Sequence, residues 1–197
     1  MSDSQKKREG KLIIVSGPSG VGKGTIIRKV RRSGEFPLVP SVSVTTRPKR
    51  PMEREGVDYH YMSREDFIQR RKNGEFLESF EVYPGGAWYG TLAAPVRESL
   101  ERGEWVLLEI DVKGAEEVLK TYPDAVTVFI EPPALKDLET RLRHRGTETE
   151  EALAKRLAQA EEEIRRAKDY RYRVVNDNLD KAVDEFVGIL RGSTPLC

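Results

Sequence analysis

The chain has 197 residues, of which 38% are hydrophobic and 34% charged, with a formal net charge of +1. That length supports one compact domain with a proper core, and the charge balance argues against nucleic-acid binding driven by bulk electrostatics. The single cysteine is Cys197, which excludes a disulfide within the chain and a cysteine-based zinc cluster and fits a reducing cytoplasm.

Residues 1–10 are polar and charged. They predict a frayed tail without the apolar core of a signal peptide, and no apolar run approaches the roughly 20 residues of a membrane span. Lys11–Ser16 is an apolar run that predicts a buried strand. Gly17-Pro18-Ser19-Gly20-Val21-Gly22-Lys23-Gly24-Thr25 follows, and then Ile26-Ile27-Arg28-Lys29-Val30, whose helical spacing should end near Ser33-Gly34. Residues 38–46 alternate as a strand, with Pro40 keeping it near an edge. Residues 47–56 are charged and broken by proline, so they predict a loop. A short strand is expected at 58–62, a helix capped by Ser63 at 64–73 with Gly74 as its stop, a strand at 75–82, and a turn at Pro84-Gly85-Gly86 before Trp88-Tyr89-Gly90.

The segment 41–91 is therefore rich in short strands and reads as a β-rich subdomain inserted into an α/β core. Beyond it, helices are expected at 95–102, 114–120, 135–143 and 179–190, and strands at 105–111, 125–130 and 172–176. Thr147 and Glu150 have capping-box spacing. They open a long helix with the stripe Leu153, Leu157, Ala160, Ile164 and Ala167. Strands separated by helices imply a mainly parallel sheet flanked by helices. The expected division is a core at about 11–40, 92–140 and 168–190, the subdomain at about 41–91, a helical lid at about 141–167, and tails at 1–10 and 191–197.

Strand, glycine-rich loop, lysine and helix form the context of a P-loop. Its glycines let backbone N–H groups surround phosphate oxygens. The helix N-terminus adds partial positive charge, and Lys23 adds a full one. Gly24 stands where the motif usually has Ser or Thr, with Thr25 one residue later. Without a hydroxyl at 24, Mg²⁺ must be held by ATP, water and carboxylates elsewhere. Two sets of basic residues accompany the loop. Ser43, Thr45, Thr46, Arg47 and Arg50 form one, and Arg141, Arg145 and Arg156 the other. Arginine forks suit phosphate oxygens, and two such sets exceed the needs of one triphosphate. They predict a second phosphorylated ligand and a mobile cover.

From about Lys11 to Leu190 the chain resembles the guanylate kinase family. The resemblance rests on Gly17-Pro18-Ser19-Gly20-Val21-Gly22-Lys23, Ser41-Val42-Ser43-Val44-Thr45-Thr46-Arg47, Gly56-Val57-Asp58-Tyr59, Gly74-Glu75-Phe76-Leu77-Glu78 and Trp88-Tyr89-Gly90-Thr91. It continues through Glu109-Ile110-Asp111-Val112-Lys113-Gly114, Arg145-Gly146-Thr147-Glu148-Thr149-Glu150-Glu151 and Val175-Asn176-Asp177. It implies ATP-dependent phosphorylation of GMP, and of dGMP, in purine nucleotide metabolism, with Mg²⁺ accompanying ATP. It implies a P-loop kinase core, a GMP-binding subdomain and a closing lid. Carried over position by position, Ser43, Arg47, Arg50 and Tyr59 match the GMP phosphate site. Glu78 and Thr91 match the guanine readers, and Tyr89 a second tyrosine near the phosphate. Arg141, Arg145 and Arg156 match the lid and transfer-site arginines, and Asn176 an adenine-side contact. Glu109 stands where many members have Asp, and residues 83–87 are slightly longer than usual.

The chemistry of these residues agrees. A carboxylate at Glu78 accepts from guanine N1–H and N2–H but faces adenine's N1 lone pair with like polarity, and a hydroxyl of Thr91 or Ser43 can donate to O6. The attacking GMP phosphate oxygen is already ionised, so no general base is needed, and His60 and His144 are read as structural. Catalysis is then positioning and charge neutralisation by Lys23, Mg²⁺ and the arginines. Glu109 and Asp111 end a core strand, where a ligand crevice is expected. They are assigned to Mg²⁺ waters and to the guanine edge, with the division between them open, and Tyr59, Tyr89 and Trp88 are open to a packing role. Two rival readings remain: a non-catalytic guanylate-kinase-like module that binds proteins, and a nucleoside monophosphate kinase of other base specificity. The expected partners are ATP and GMP, without nucleic acid or membrane, for a monomer or weak homo-oligomer.

Overall fold

The protein is described from a computed structural model over residues 10–82, 85–143 and 150–193. The chain divides into two compact units. One comprises Leu38–Leu108 and Lys113–Ala125 with the chain up to Leu12, and the other Ile13–Pro37, Glu109–Val112 and everything from Val126 onward.

In the unit that begins at Ile13, the strands are β1 (Lys11–Ser16), β8 (Val126–Glu131) and β9 (Tyr172–Val175). They pair in parallel, with Ile13 opposite Val126 and Ile130 opposite Val174. All six positions of β8 are buried, as is everything in β1 after Lys11. Strands buried along nearly their whole length are what a sheet covered on both faces requires. The helices are α1 (Lys23–Arg32), α5 (Leu135–Arg143), α6 (Glu150–Arg165) and α7 (Leu179–Gly192). α1 buries Ile26, Ile27 and Val30, α7 buries Ala182, Phe186 and Leu190, and the two helices pack together. Asn178 caps α7 by accepting from the backbone N–H groups of Asp180 and Lys181.

The other unit carries β2 (Leu38–Pro40), β3 (Val44–Thr45), β4 (His60–Tyr61), α2 (Arg64–Lys72), β5 (Phe76–Glu81), β6 (Trp88–Leu92) and α3 (Ala93–Glu101). β7 (Trp105–Glu109) and α4 (Val112–Thr121) lie mainly in it. β2 pairs in parallel with β7. A four-stranded sheet runs in the order β4-β3-β6-β5, with β3 parallel to β4 and antiparallel to β6, and β5 antiparallel to β6. α2 lies on this sheet through Phe67, which is fully buried and stacks on Phe76 at 4.4 Å between ring centroids. Gly90 permits that approach, since a Cβ there would lie 3.1 Å from Phe67 Cζ and 2.8 Å from Phe76 Cδ1. Ser63 accepts from the Asp66 N–H, and Gly74, at φ 72°, follows the helix C-cap Asn73.

The α/β arrangement with parallel pairings flanked by helices is the one predicted. Three expectations need correction. Residues 38–46 do not form one strand: Pro40 still pairs with Leu107 and the Ser41 N–H donates to the Leu107 carbonyl, but the chain then leaves β7 and re-enters regular structure as β3 in the other sheet. The strand expected at 58–62 shrinks to His60–Tyr61. The long helix ends at Arg165, and Ala167 lies in a 3-10 turn, Arg166–Asp169, where it packs with Val112 and Phe129. Along the stripe Leu153 and Ala160 are buried while Leu157 and Ile164 are half-buried, and Glu163 is buried as well. Thr147, half of the expected capping box, and Pro84 of the expected turn lie outside the described residues.

Candidate active site

The phosphate-binding loop runs from the end of β1 into α1. Gly22 is the N-cap of α1 with φ 105°, a region in which L side chains are strained. It is also in close quarters: a Cβ at Gly22 would stand 2.4 Å from Asn176 Nδ2, and one at Gly17 would stand 2.1 Å from the Ile130 carbonyl oxygen. Glycine is demanded here by geometry. Lys23 Nζ donates to the carbonyl oxygens of Gly17 at 2.6 Å and Pro18 at 3.1 Å, so the ammonium folds back over the loop.

Asn176, just past β9, donates from Nδ2 to the Val21 carbonyl at 2.7 Å and is buried. Arg141 on α5 reaches the same place, donating to the Val21 carbonyl at 3.2 Å and to the Asn176 carbonyl at 2.8 Å. The far side of the loop is thus tied to two elements remote in sequence. Glu109, at the end of β7, brings its carboxylate beside Gly24, where a Cβ would meet Oε2 at 3.7 Å and Oε1 at 3.9 Å. Asp111 follows at the start of the next turn and is half-buried. Glu163 of α6 is buried and lies near enough to Lys23 and Asp111 to feel both charges. Burial pushes its carboxyl above the usual range, while a hydrogen bond from Gln159 and the Lys23 charge oppose that rise. Arg156 is on the exposed side of α6, and Arg145 lies outside the described residues.

The second group of residues belongs to the unit that carries the four-stranded sheet. Glu78 on β5 stands opposite Thr91 on β6. The Thr91 hydroxyl donates to Glu78 Oε1 at 2.6 Å, with Thr91 fully buried and Glu78 4% exposed. Glu78 is therefore an acid inside the subdomain, and the Thr91 hydroxyl points at it. Arg47, after β3, is surrounded: Nε donates to the Tyr89 hydroxyl at 3.1 Å, Nη1 to the Pro48 carbonyl at 3.0 Å, and the Nη pair to both oxygens of Glu53 at 2.7 and 2.6 Å. Its guanidinium lies 4.9 Å from the Tyr59 ring centroid and 5.8 Å from that of Tyr61. Tyr89 also stacks on Phe80 at 5.9 Å, and Tyr59 meets Tyr89 edge-on at 5.8 Å.

Trp88 has a packing role, between Phe67 and the guanidinium of Arg71. The Arg50 side chain is exposed while its N–H donates to Glu53 Oε2 at 2.9 Å. Ser43 is half-buried just before β3, and its carbonyl accepts from the His60 N–H. The His60 ring pairs with Glu55 at an exposed position.

The structure thus brings Arg47, Tyr59 and Tyr89 together, pairs Glu78 with Thr91, and gathers Arg141, Asn176 and Val21 at the loop. Sequence reasoning missed Glu53, Tyr61 and Glu163. Glu53 sits in an aperiodic loop and gives no signal. Glu163 falls on the buried stripe of α6, three residues after Ala160, and its charge disguises the spacing.

A glycine-rich loop between a parallel strand and a helix, with Lys23 at the helix start, defines a P-loop protein that binds nucleotide phosphates. Comparison with known proteins narrows this. Residues 9–192 match the guanylate kinase family model. The chain is 43% identical to the guanylate kinase of Rhodopirellula baltica over 98% of this chain and 95% of that one. It is 50% identical to that of Symbiobacterium thermophilum over 93% and 86%. The crystal structure of guanylate kinase from Anaplasma phagocytophilum superposes with a TM-score of 0.76 at 31% identity, covering 97% of this chain and 89% of that one. The chain belongs to the guanylate kinase family, and its reaction is the ATP-dependent phosphorylation of GMP.

Proposed function

We propose that the two groups of residues divide this reaction between them. Gly17, Pro18, Ser19, Gly20, Val21, Gly22, Lys23, Gly24 and Thr25 hold the ATP phosphates, and Asn176 serves the adenine side. Ser43, Arg47, Arg50, Tyr59 and Tyr89 hold the GMP phosphate, while Glu78 and Thr91 read guanine. The observation that carries this reading is the buried Glu78–Thr91 pair. A carboxylate withdrawn from water accepts guanine's N1–H and N2–H donors and meets adenine's N1 lone pair with like polarity. An unmatched polar group in such a site is costly enough to reject the wrong base. The same edge is present in dGMP.

The acceptor oxygen is an ionised phosphate, so the protein need not remove a proton. What remains is to hold the reacting groups in line and neutralise charge as it moves. Lys23, Arg47, Arg141, Arg145 and Arg156 are the cations for that task. Glu109 beside Gly24 and the nearby Asp111 supply hard oxygen donors of the kind Mg²⁺ takes, through water, with Asp111 also available to guanine. When bound with ATP, Mg²⁺ screens the phosphate charge. The lack of a helix long and apolar enough to cross a membrane among the described residues agrees with a cytoplasmic enzyme of purine nucleotide metabolism. We infer a monomer or weak homo-oligomer that does not use nucleic acid.

Glu78→Gln tests the reading. The GMP:AMP ratio of kcat/KM should fall while KM for ATP holds, and equal ratios in wild type and variant would remove Glu78 from base recognition. Arg145→Ala should lower kcat far more than it raises KM for GMP. An effect confined to KM contradicts a transfer-site role.

A further inference from the structure

Glu53 lies in the 47–56 segment and accepts four hydrogen bonds, more than a surface ion pair needs. Its Oε1 accepts from Arg47 Nη2 at 2.6 Å. Its Oε2 accepts from Arg47 Nη1 at 2.7 Å, the Tyr61 hydroxyl at 2.7 Å and the Arg50 N–H at 2.9 Å. Those donors come from Arg47, two residues past β3, from the following loop and from β4, so one carboxylate joins the 47–53 loop to the paired strands β3 and β4 beyond the end of their ladder. Arg47 and Glu53 are both largely withdrawn from solvent, at 14% and 16% side-chain exposure. The hydrogen bond to Arg47 holds the Glu53 carboxyl down at about 2, so it is fully ionised wherever the enzyme works.

A guanidinium has five N–H donors in a rigid plane. The bonds to Tyr89, Pro48 and Glu53 use four of them. The grip of Glu53 on both Nη atoms fixes the plane, and so fixes the direction of the fifth N–H, on Nη2. The Tyr89 hydroxyl, because it accepts from Arg47, turns its own hydrogen away from the guanidinium. We propose that Glu53 is the positioning residue of the acceptor-phosphate site: through its bidentate hold on Arg47, and its bonds to Tyr61 and the Arg50 backbone, it aims the phosphate-binding donors before GMP arrives. This rests on the reading that Arg47 holds the GMP phosphate. Glu53 touches neither substrate; it acts through Arg47. The cost is that its negative charge faces an incoming dianion, and a gain in orientation must outweigh that repulsion.

Binding of GMP and of guanosine, which lacks the phosphate, would be measured by competition on wild type, Glu53→Gln, Glu53→Asp and Arg47→Ala. Glu53→Gln keeps the shape but loses the charge that grips Arg47. GMP affinity should fall about tenfold, the scale of losing one charge-assisted hydrogen bond, with guanosine affinity and KM for ATP unchanged. Glu53→Asp, one methylene shorter and still charged, should fall between, and it carries the test if the glutamine variant does not fold. Parallel losses for GMP and guanosine would make Glu53 merely structural. Unchanged or tighter GMP binding would make it a competitor of the phosphate, and either result overturns the inference. If Arg47→Ala abolishes the preference for GMP over guanosine and the Glu53 variants do not, only the inference fails. If Arg47→Ala also leaves that preference intact, the phosphate-site reading fails with it.

Discussion

Thr91→Val removes one oxygen from the interior and leaves the shape of the side chain nearly unchanged. In the wild type that oxygen belongs to a fully buried residue and donates to Glu78 Oε1 at 2.6 Å. The variant keeps the packing against β5 and takes away a donor from a carboxylate that is 4% exposed. A hydrogen bond to a charged group contributes about 1.5–3 kcal/mol. At roughly 2–4 °C per kcal/mol for a chain of this size, Tm should fall by roughly 3–12 °C. Thermal unfolding by circular dichroism reads that directly. On the proposed assignment of Glu78 to guanine, the same substitution should blunt base recognition, because the Thr91 hydroxyl engages one of the two Glu78 carboxylate oxygens. The GMP:AMP ratio of kcat/KM, from ADP formation in a coupled assay, should drop about tenfold, the scale of one lost polar contact in a specificity site. A variant with unchanged Tm and an unchanged ratio would refute both the energetic argument and the pairing of Thr91 with Glu78 as one functional unit.

Gly22→Ala should raise KM for ATP and lower Tm: its Cβ would sit 2.4 Å from Asn176 Nδ2 at φ 105°. Left-handed strain of about 1–2 kcal/mol then adds to the loss of the buried Asn176–Val21 bond, and wild-type values for both quantities would contradict the fit. Gly24→Ser should fold with unchanged Tm, since its Cβ would stand at an ordinary 3.7 Å from Glu109 Oε2. It should lower the Mg²⁺ concentration giving half-maximal rate, because a hydroxyl joins the carboxylate there, and an unchanged or higher requirement counts against a metal role for Glu109. In acid, the Glu53 carboxyl is held at about 2, below its ordinary 4.5, chiefly by its bond to Arg47. Its contribution to stability is complete above about 4.5 and is lost as pH falls toward 2. Glu53→Gln should therefore flatten the fall of Tm between pH 4.5 and 2, and identical acid limbs in the two proteins would contradict the assignment.

The P-loop and the helices were legible because their signals are local. A glycine-rich turn between an apolar run and a helical period needs no distant residue to be recognised, and Ser63 and Gly74 bracket α2 by their own conformational preferences. Residues 38–46 misled because both halves do form strands, while the break after Ser41 that sends the chain to a second sheet leaves no mark in the sequence pattern. The resemblance singles out Glu78 as the candidate guanine reader, but its burial was not legible in the sequence. It lies on β5 between Phe76 and Phe80, and the β-bulge between Phe76 and Glu78 sets which residue of β6 it meets. Register of that kind depends on the pairing strand. Glu53 was illegible for a different reason: a charged residue in an aperiodic loop says nothing about which cation it will grip. Only the fold brings Arg47, Arg50 and Tyr61 around it.

The most direct measurement is ADP formation from Mg-ATP with GMP, AMP, CMP and UMP supplied in turn under identical conditions. Strong turnover with GMP and far weaker turnover with the other three is predicted. Absence of GMP-dependent ADP formation would contradict the enzymatic account, and a preference for AMP would contradict the assignment of Glu78 and Thr91 to guanine.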